Sequence, residues 1–227
     1  MQGITTVIFD LDGTLVDSHP GIARAFGKAL EEKLPGRDLP DFSRFIGPPV
    51  REVFRNALGC HDELLLNDLN ASFRRFYDEE DWKASYPYPG TAGLLEYLTG
   101  QGVTCHVLTN KPSLATRKIL QHTRMDPFFS EVVSPDSATP PFPTKSAAAR
   151  HLFREHELDP ATTWLIGDSI DDAGAAAALG CSFGAAAYGY GDGALQKQFP
   201  VHAILKALPD FRAVFSTRHH HPDFPTS

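Results

Sequence analysis

The sequence predicts an α/β fold: a doubly wound, parallel-sheet core of Rossmann-like form, with a small all-helical cap inserted after its first strand. Three observations carry this expectation. Residues 6–9 are a short β-rich run that leads directly into Asp10 and Asp12. Residues 18–85 show only helical periodicity. Beyond Gly90, strand-like and helix-like stretches alternate, the pattern of a parallel sheet covered on both faces. The first strand belongs with the later ones, so the core is discontinuous, made of residues 1–17 and 87–216. Residues 18–86 form the cap, and 217–227 are expected to be a disordered tail.

Each element has a local reason. Thr6-Val7-Ile8-Phe9 suits the middle of a parallel sheet, where both faces are buried. Its end sets two carboxyl groups at the sheet's carboxyl edge, where open α/β sheets hold their ligands. Strand alternation allows Asp10 and Asp12 to share one face. Like charges that close are unfavourable when buried, so a metal ion or a shared proton is expected beside them. Gly13-Thr14 then turns the chain. Ile22, Ala25, Phe26, Ala29 and Leu30 recur at helical spacing, with Ser18 as the expected N-cap and Pro35-Gly36 as the stop. Asp41 to Ile46 reads as a helical turn and Gly47-Pro48-Pro49 as a rigid loop. Val50, Val53, Phe54, Ala57 and Leu58 restore the helical spacing up to Gly59, and Leu66, Leu69, Phe73 and Phe76 repeat it. Asp78-Glu79-Glu80-Asp81 reads as a solvated helix end, and Tyr86-Pro87-Tyr88-Pro89-Gly90 as a linker. A helix through Leu94, Leu95 and Leu98 follows. Strands are expected at 103–109, 131–134, 162–167 and 182–187, with helices at 113–122, 144–155 and 171–179 between them. A helix starting near Leu208 completes the core.

Composition excludes several classes. The 227 residues carry a net charge of −7 with both signs interspersed, which disfavours nucleic acid or an anionic membrane as a partner. No signal-peptide pattern and no membrane-length apolar run is visible. Three scattered cysteines, Cys60, Cys105 and Cys181, suit a reducing, cytoplasmic setting rather than a disulfide frame or a zinc site. His219-His220-His221 reads as part of an exposed tail. Monomer and dimer both remain open.

Four stretches fall at or just beyond expected strand ends: Asp10 with Asp12, Thr109 with Asn110, Lys145, and Asp168 through Asp172. An EF-hand reading of Asp10-Leu11-Asp12 fails, because its sixth and twelfth positions would be Leu15 and Gly21. In order and type, the four stretches resemble the motifs of the haloacid dehalogenase superfamily of hydrolases, mainly phosphatases. The helical insert, Phe45-Ile46-Gly47-Pro48-Pro49 and Thr109-Asn110-Lys111-Pro112 resemble its phosphoglycolate-phosphatase-like branch.

That resemblance implies a Mg²⁺-dependent hydrolase acting on a small phosphomonoester through an aspartyl-phosphate. Asp10 would be nucleophile and metal ligand, and Asp12 the general acid and base as well as a metal ligand through its backbone carbonyl. Asp168 and Asp172 would complete the metal site, with Asp171 a rival to Asp172. Thr109, Asn110 and Lys145 would hold the phosphate, with Lys111 a rival to Lys145. Covalent catalysis by a carboxylate splits a difficult displacement into two easier steps, provided positive charge neutralises the approaching anions. From the cap, Gly47, Pro48 and Arg51 are candidate substrate contacts, Arg51 for a carboxylate. Asp12 argues against a dehalogenase, whose leaving halide needs no proton. A phosphomutase of the β-phosphoglucomutase type and a non-catalytic phosphate-binding regulator are the alternatives. A receiver-type phosphoacceptor domain would lack the helical insert.

Overall fold

The computed structural model describes residues 3–38, 50–191 and 195–219. Its centre is a six-stranded, all-parallel sheet in the order β5-β4-β1-β6-β7-β8. The strands are β1 (Thr6–Phe9), β4 (Thr104–Leu108), β5 (Phe129–Val133), β6 (Thr163–Gly167), β7 (Ser182–Ala186) and β8 (Ala203–Leu205). β1 lies between β4 and β6 although the helical insert separates it from β4 in sequence. Both faces of the sheet are covered, as its near-continuous apolar strands require. Val7, Phe9, Val107 and Ile166 pack on one face with α4 (Thr91–Gly100), α5 (Ser113–His122) and α9 (Phe211–His219). Ile8, Leu108 and Leu165 pack on the other with α6 (Lys145–Glu155) and α7 (Ile170–Leu179).

The insert is built from α1 (His19–Lys33), α2 (Val50–Leu58) and α3 (Glu63–Glu79). Phe26, Phe54, Leu66, Leu69 and Phe73 form an apolar cluster of their own, and Ala115 of α5 joins it. Phe26 is T-shaped against Phe54 and tilted against Phe73, with centroids 4.7 Å apart in both cases. No described helix is long and apolar enough to cross a membrane.

Several expectations are corrected. Ser18 occupies the N-cap position of α1, but its side chain makes no capping bond, and its backbone N–H donates to the Tyr190 hydroxyl. Asp81 is not part of a solvated helix end: it is buried and pairs with Lys28 at 2.9 Å. The expected linker at Tyr86 pairs as β3 (Tyr86–Pro87) antiparallel to β2 (Val16–Asp17), so the two crossings between core and insert are hydrogen-bonded to each other. Two-residue strands carry no readable alternation. β8 and the short helix α8 (Leu195–Gln198) are absent from the sequence reading for the same reason. β5 begins at Phe129, ahead of the expected Glu131. α9 continues to His219, past the expected start of the tail at Thr217. The readings for Asp41 to Ile46, for Gly47-Pro48-Pro49 and for the tail beyond His219 lie outside the described residues.

Candidate active site

The site lies at the carboxyl edge of the sheet, where β1, β4 and β6 end side by side. β1 stops at Phe9, and Asp10 follows with its backbone N–H donating to the Ile166 carbonyl at 2.9 Å. Asp168 follows β6 in the same way, and Asp172 sits in the first turn of α7. One carboxylate oxygen from each of Asp10, Asp168 and Asp172 lies within 4.8 Å of the other two, and all three residues are buried. Lys145, the first residue of α6, is buried against them. Its Nζ is 2.5 Å from Asp10 Oδ1 and 2.5 Å from Asp172 Oδ1.

Three buried carboxylates outnumber this one ammonium. Burial raises the Asp10 carboxyl well above its ordinary range despite the pull of Lys145, and Asp172 and Asp168 push it further. Burial and the neighbouring Asp172 raise Asp168 to about 7. For Lys145, burial alone would lower the proton affinity, and the Asp10 and Asp172 carboxylates more than reverse this. An all-oxygen set of convergent acidic groups with excess negative charge fits a hard divalent cation.

The Asp12 carboxylate is not one of the three that converge in this cluster. The chain leaves β1 in a tight loop closed by bonds from the Leu15 and Val16 N–H groups to the Leu11 carbonyl. Asp12 turns instead to Lys111, whose Nζ lies 2.9 Å from each carboxylate oxygen. The two lysines that sequence leaves as rivals therefore hold different aspartates. Thr109 is buried at the end of β4, and its Oγ1 accepts a bond from the Lys111 N–H at 3.1 Å. Asn110 is exposed and donates through Nδ2 to Asp171 Oδ2 at 2.7 Å. Of the adjacent pair, Asp172 points into the cluster and Asp171 away from it. Asp172 Oδ2 also accepts from the backbone N–H and hydroxyl of Ser169, the N-cap of α7. Arg51 pairs with Glu63 at the start of α3, so its charge is met within the insert. Gly47 and Pro48 fall outside the described residues.

One contributor has no place in the sequence reading. Tyr190 donates its backbone N–H to Asp168 Oδ2 at 2.6 Å. Its hydroxyl accepts from the Ser18 and His19 N–H groups and donates to Asp17 Oδ1 at 2.8 Å. Gly189 beside it leaves no room for a side chain: a Cβ there would stand 2.3 Å from the Gly13 carbonyl oxygen. The available signal was the Gly-flanked run Tyr188-Gly189-Tyr190-Gly191 just past β7.

A doubly wound sheet whose carboxyl edge gathers three buried carboxylates and two buried lysines is the arrangement of an α/β enzyme. The chain belongs to the haloacid dehalogenase-like hydrolases, whose family model matches residues 7–186. It is 32% identical over 200 residues to a phosphoglycolate phosphatase of Aliivibrio fischeri, covering 85% of this chain and 88% of that protein. It is also 32% identical over 209 residues to a 5'-nucleotidase of Pseudomonas aeruginosa, covering 89% of this chain and 92% of that one. Among solved structures, a predicted phosphoglycolate phosphatase from Haemophilus somnus superposes with a TM-score of 0.80. It is 28% identical to this chain, and the match covers 94% of this chain and 99% of that one.

Proposed function

We propose that the protein is a Mg²⁺-dependent phosphatase that hydrolyses a small phosphomonoester through an aspartyl-phosphate on Asp10. The observation that carries this reading is the buried cluster of Asp10, Asp168 and Asp172 around Lys145, with Asp12 held apart on Lys111. A carboxylate oxygen of Asp10 attacks phosphorus as the bond to the leaving oxygen breaks, and Asp12 gives that oxygen its proton. Asp12 then takes a proton from water, which attacks the phosphorus of the aspartyl-phosphate and returns Asp10 with release of phosphate. Lys145 and Thr109, with Asn110, hold the phosphate oxygens. Asp10, Asp168 and Asp172, with the backbone carbonyl of Asp12, would hold the Mg²⁺, which when bound neutralises the negative charge between nucleophile and substrate.

The relatives support phosphoglycolate as the leading substrate, and the Pseudomonas relative supports 5'-nucleotides as the second. The helical insert acts as the cap that screens substrates, and a cytoplasmic setting suits the three free thiols. A panel of phosphomonoesters containing both substrate classes, assayed with Mg²⁺, tests the reading. Phosphate release is expected, and both EDTA and Asp10→Asn should abolish it. Full activity in Asp10→Asn would remove Asp10 as the nucleophile. Isomerised sugar phosphates without phosphate release would point to a mutase.

A further inference from the structure

We propose that Lys111 is a positioning residue for Asp12, and that Tyr77, carried by the helical insert, keeps Lys111 in place. The inference rests on the phosphatase reading above. Lys111 Nζ stands 2.9 Å from both oxygens of Asp12, and its side chain is 7% exposed. On its other side, the ammonium lies 4.7 Å from the centroid of the Tyr77 ring. Tyr77 is itself buried and stacks on Phe73 of the insert's cluster, with centroids 5.6 Å apart. The Lys111 backbone is set by its N–H bond to Thr109 Oγ1.

A solvated lysine holds a carboxylate in many arrangements and contributes little. A buried ammonium clamped between a ring face and both oxygens of a carboxylate holds it in one. Lys111 and Asp12 belong to the core, whereas the ring comes from α3. The clamp is therefore complete only when the insert is seated. Neighbouring contacts run along the same seam. Lys118 of α5 donates to the Asp78 carbonyl at 2.8 Å, and the Trp82 ring meets His122 edge-on at 5.6 Å. Seating of the insert and aiming of the acid are thus one event, so Asp12 is held to the leaving oxygen only when the substrate-screening element is in place.

An acid matters most when the leaving alcohol is a poor leaving group, and an aryl phosphate with a stable phenolate needs little help. The test compares kcat/KM for 2-phosphoglycolate with that for p-nitrophenyl phosphate. Lys111→Met is expected to lower the first about 100-fold and the second by less than about 10-fold, within the range of lost acid catalysis. Lys111→Arg should restore part of the loss. Tyr77→Leu should shift the same ratio in the same direction, and Tyr77→Phe, which keeps the ring, should restore most of it. In an Asp12→Asn background, Lys111→Met should leave the ratio unchanged, because the two residues act as a unit. Equal losses on both substrates, or a ratio indifferent to Tyr77→Leu, would overturn the proposal. A wild-type enzyme that hydrolyses neither these two esters nor a 5'-nucleotide overturns the phosphatase reading itself, and this is seen before any variant is compared; if only the nucleotide is cleaved, it replaces 2-phosphoglycolate in the comparison.

Discussion

Gly13 shows how much of the site depends on one residue without a side chain. Its φ is +82°, a left-handed conformation in which a side chain is strained. A Cβ there would stand 2.3 Å from Asp168 Oδ2 and 2.9 Å from the Tyr190 ring. Gly13→Ala therefore displaces Asp168 or the loop, and a drop in kcat of about 100-fold is expected from misplacement on the ångström scale. Steady-state kinetics on the best ester of the panel checks this. His106 makes a separate prediction about stability. It is fully buried in β4, neither ring nitrogen has a hydrogen-bond partner, and the His156 ring lies 4.8 Å away. Burial first, and then His156, lowers its pKa from 6.5 to about 4. The folded protein keeps it neutral while the unfolded chain protonates it near pH 6.5, so unfolding takes up a proton between those values. The stability this contributes is complete above about pH 6.5 and is lost as pH falls toward 4, a change on the order of 3 kcal/mol. Urea midpoints at pH 7.5 and 4.5 should differ more for the wild type than for His106→Leu.

At the scale of elements, the loop after β7 does more than close the fold. Through Tyr190 it binds Asp168 with a backbone N–H and the start of α1 with a hydroxyl. It thereby ties a cluster carboxylate to the first crossing into the insert, the crossing that also pairs as β2 with β3. Tyr190→Phe leaves the buried Ser18 N–H without that acceptor, while the His19 N–H keeps Asp17 Oδ1 at 3.1 Å. A loss of about 1–2 kcal/mol in stability is expected, since unmet buried donors are costly. Hydrogen exchange should speed up at the Ser18 amide, and less at His19, while β6 stays protected. Unchanged exchange there would mean that the hydroxyl carries no tethering role.

At the scale of the whole molecule, two packing units meet along α3 and α5. The sheet has apolar clusters on both faces, and the insert has one of its own. Phe54 is buried at the centre of the insert's cluster. Phe54→Ala should cost about 3–5 kcal/mol locally. If the insert is a separate cooperative unit, exchange should rise across α1–α3 while β1, β4 and β6 keep their protection. If the insert screens substrates as proposed, KM should rise as it loosens. Uniform exchange over the whole chain would mean that insert and core unfold together.

The fold class and the order of the longer elements are legible in the residues alone. Strand and helix periods are local, and a parallel sheet delivers its strand ends to one edge. Which side chain meets which follows instead from packing. Asp171 and Asp172 are neighbours, but successive helical residues point about 100° apart, so the packing of α7 sends one to Asn110 and the other to the cluster. The same holds for Lys111 and Lys145, which sequence leaves as rivals and packing assigns to different aspartates. Strand alternation would allow Asp10 and Asp12 one face, but it says nothing of the lysine that packing gives to each. Tyr77 and Tyr190 reach the site from distant parts of the chain, the first onto Lys111 and the second onto Asp168. Periodicity reports which face of an element is buried. It holds no information about partners brought together by the packing of one element on another.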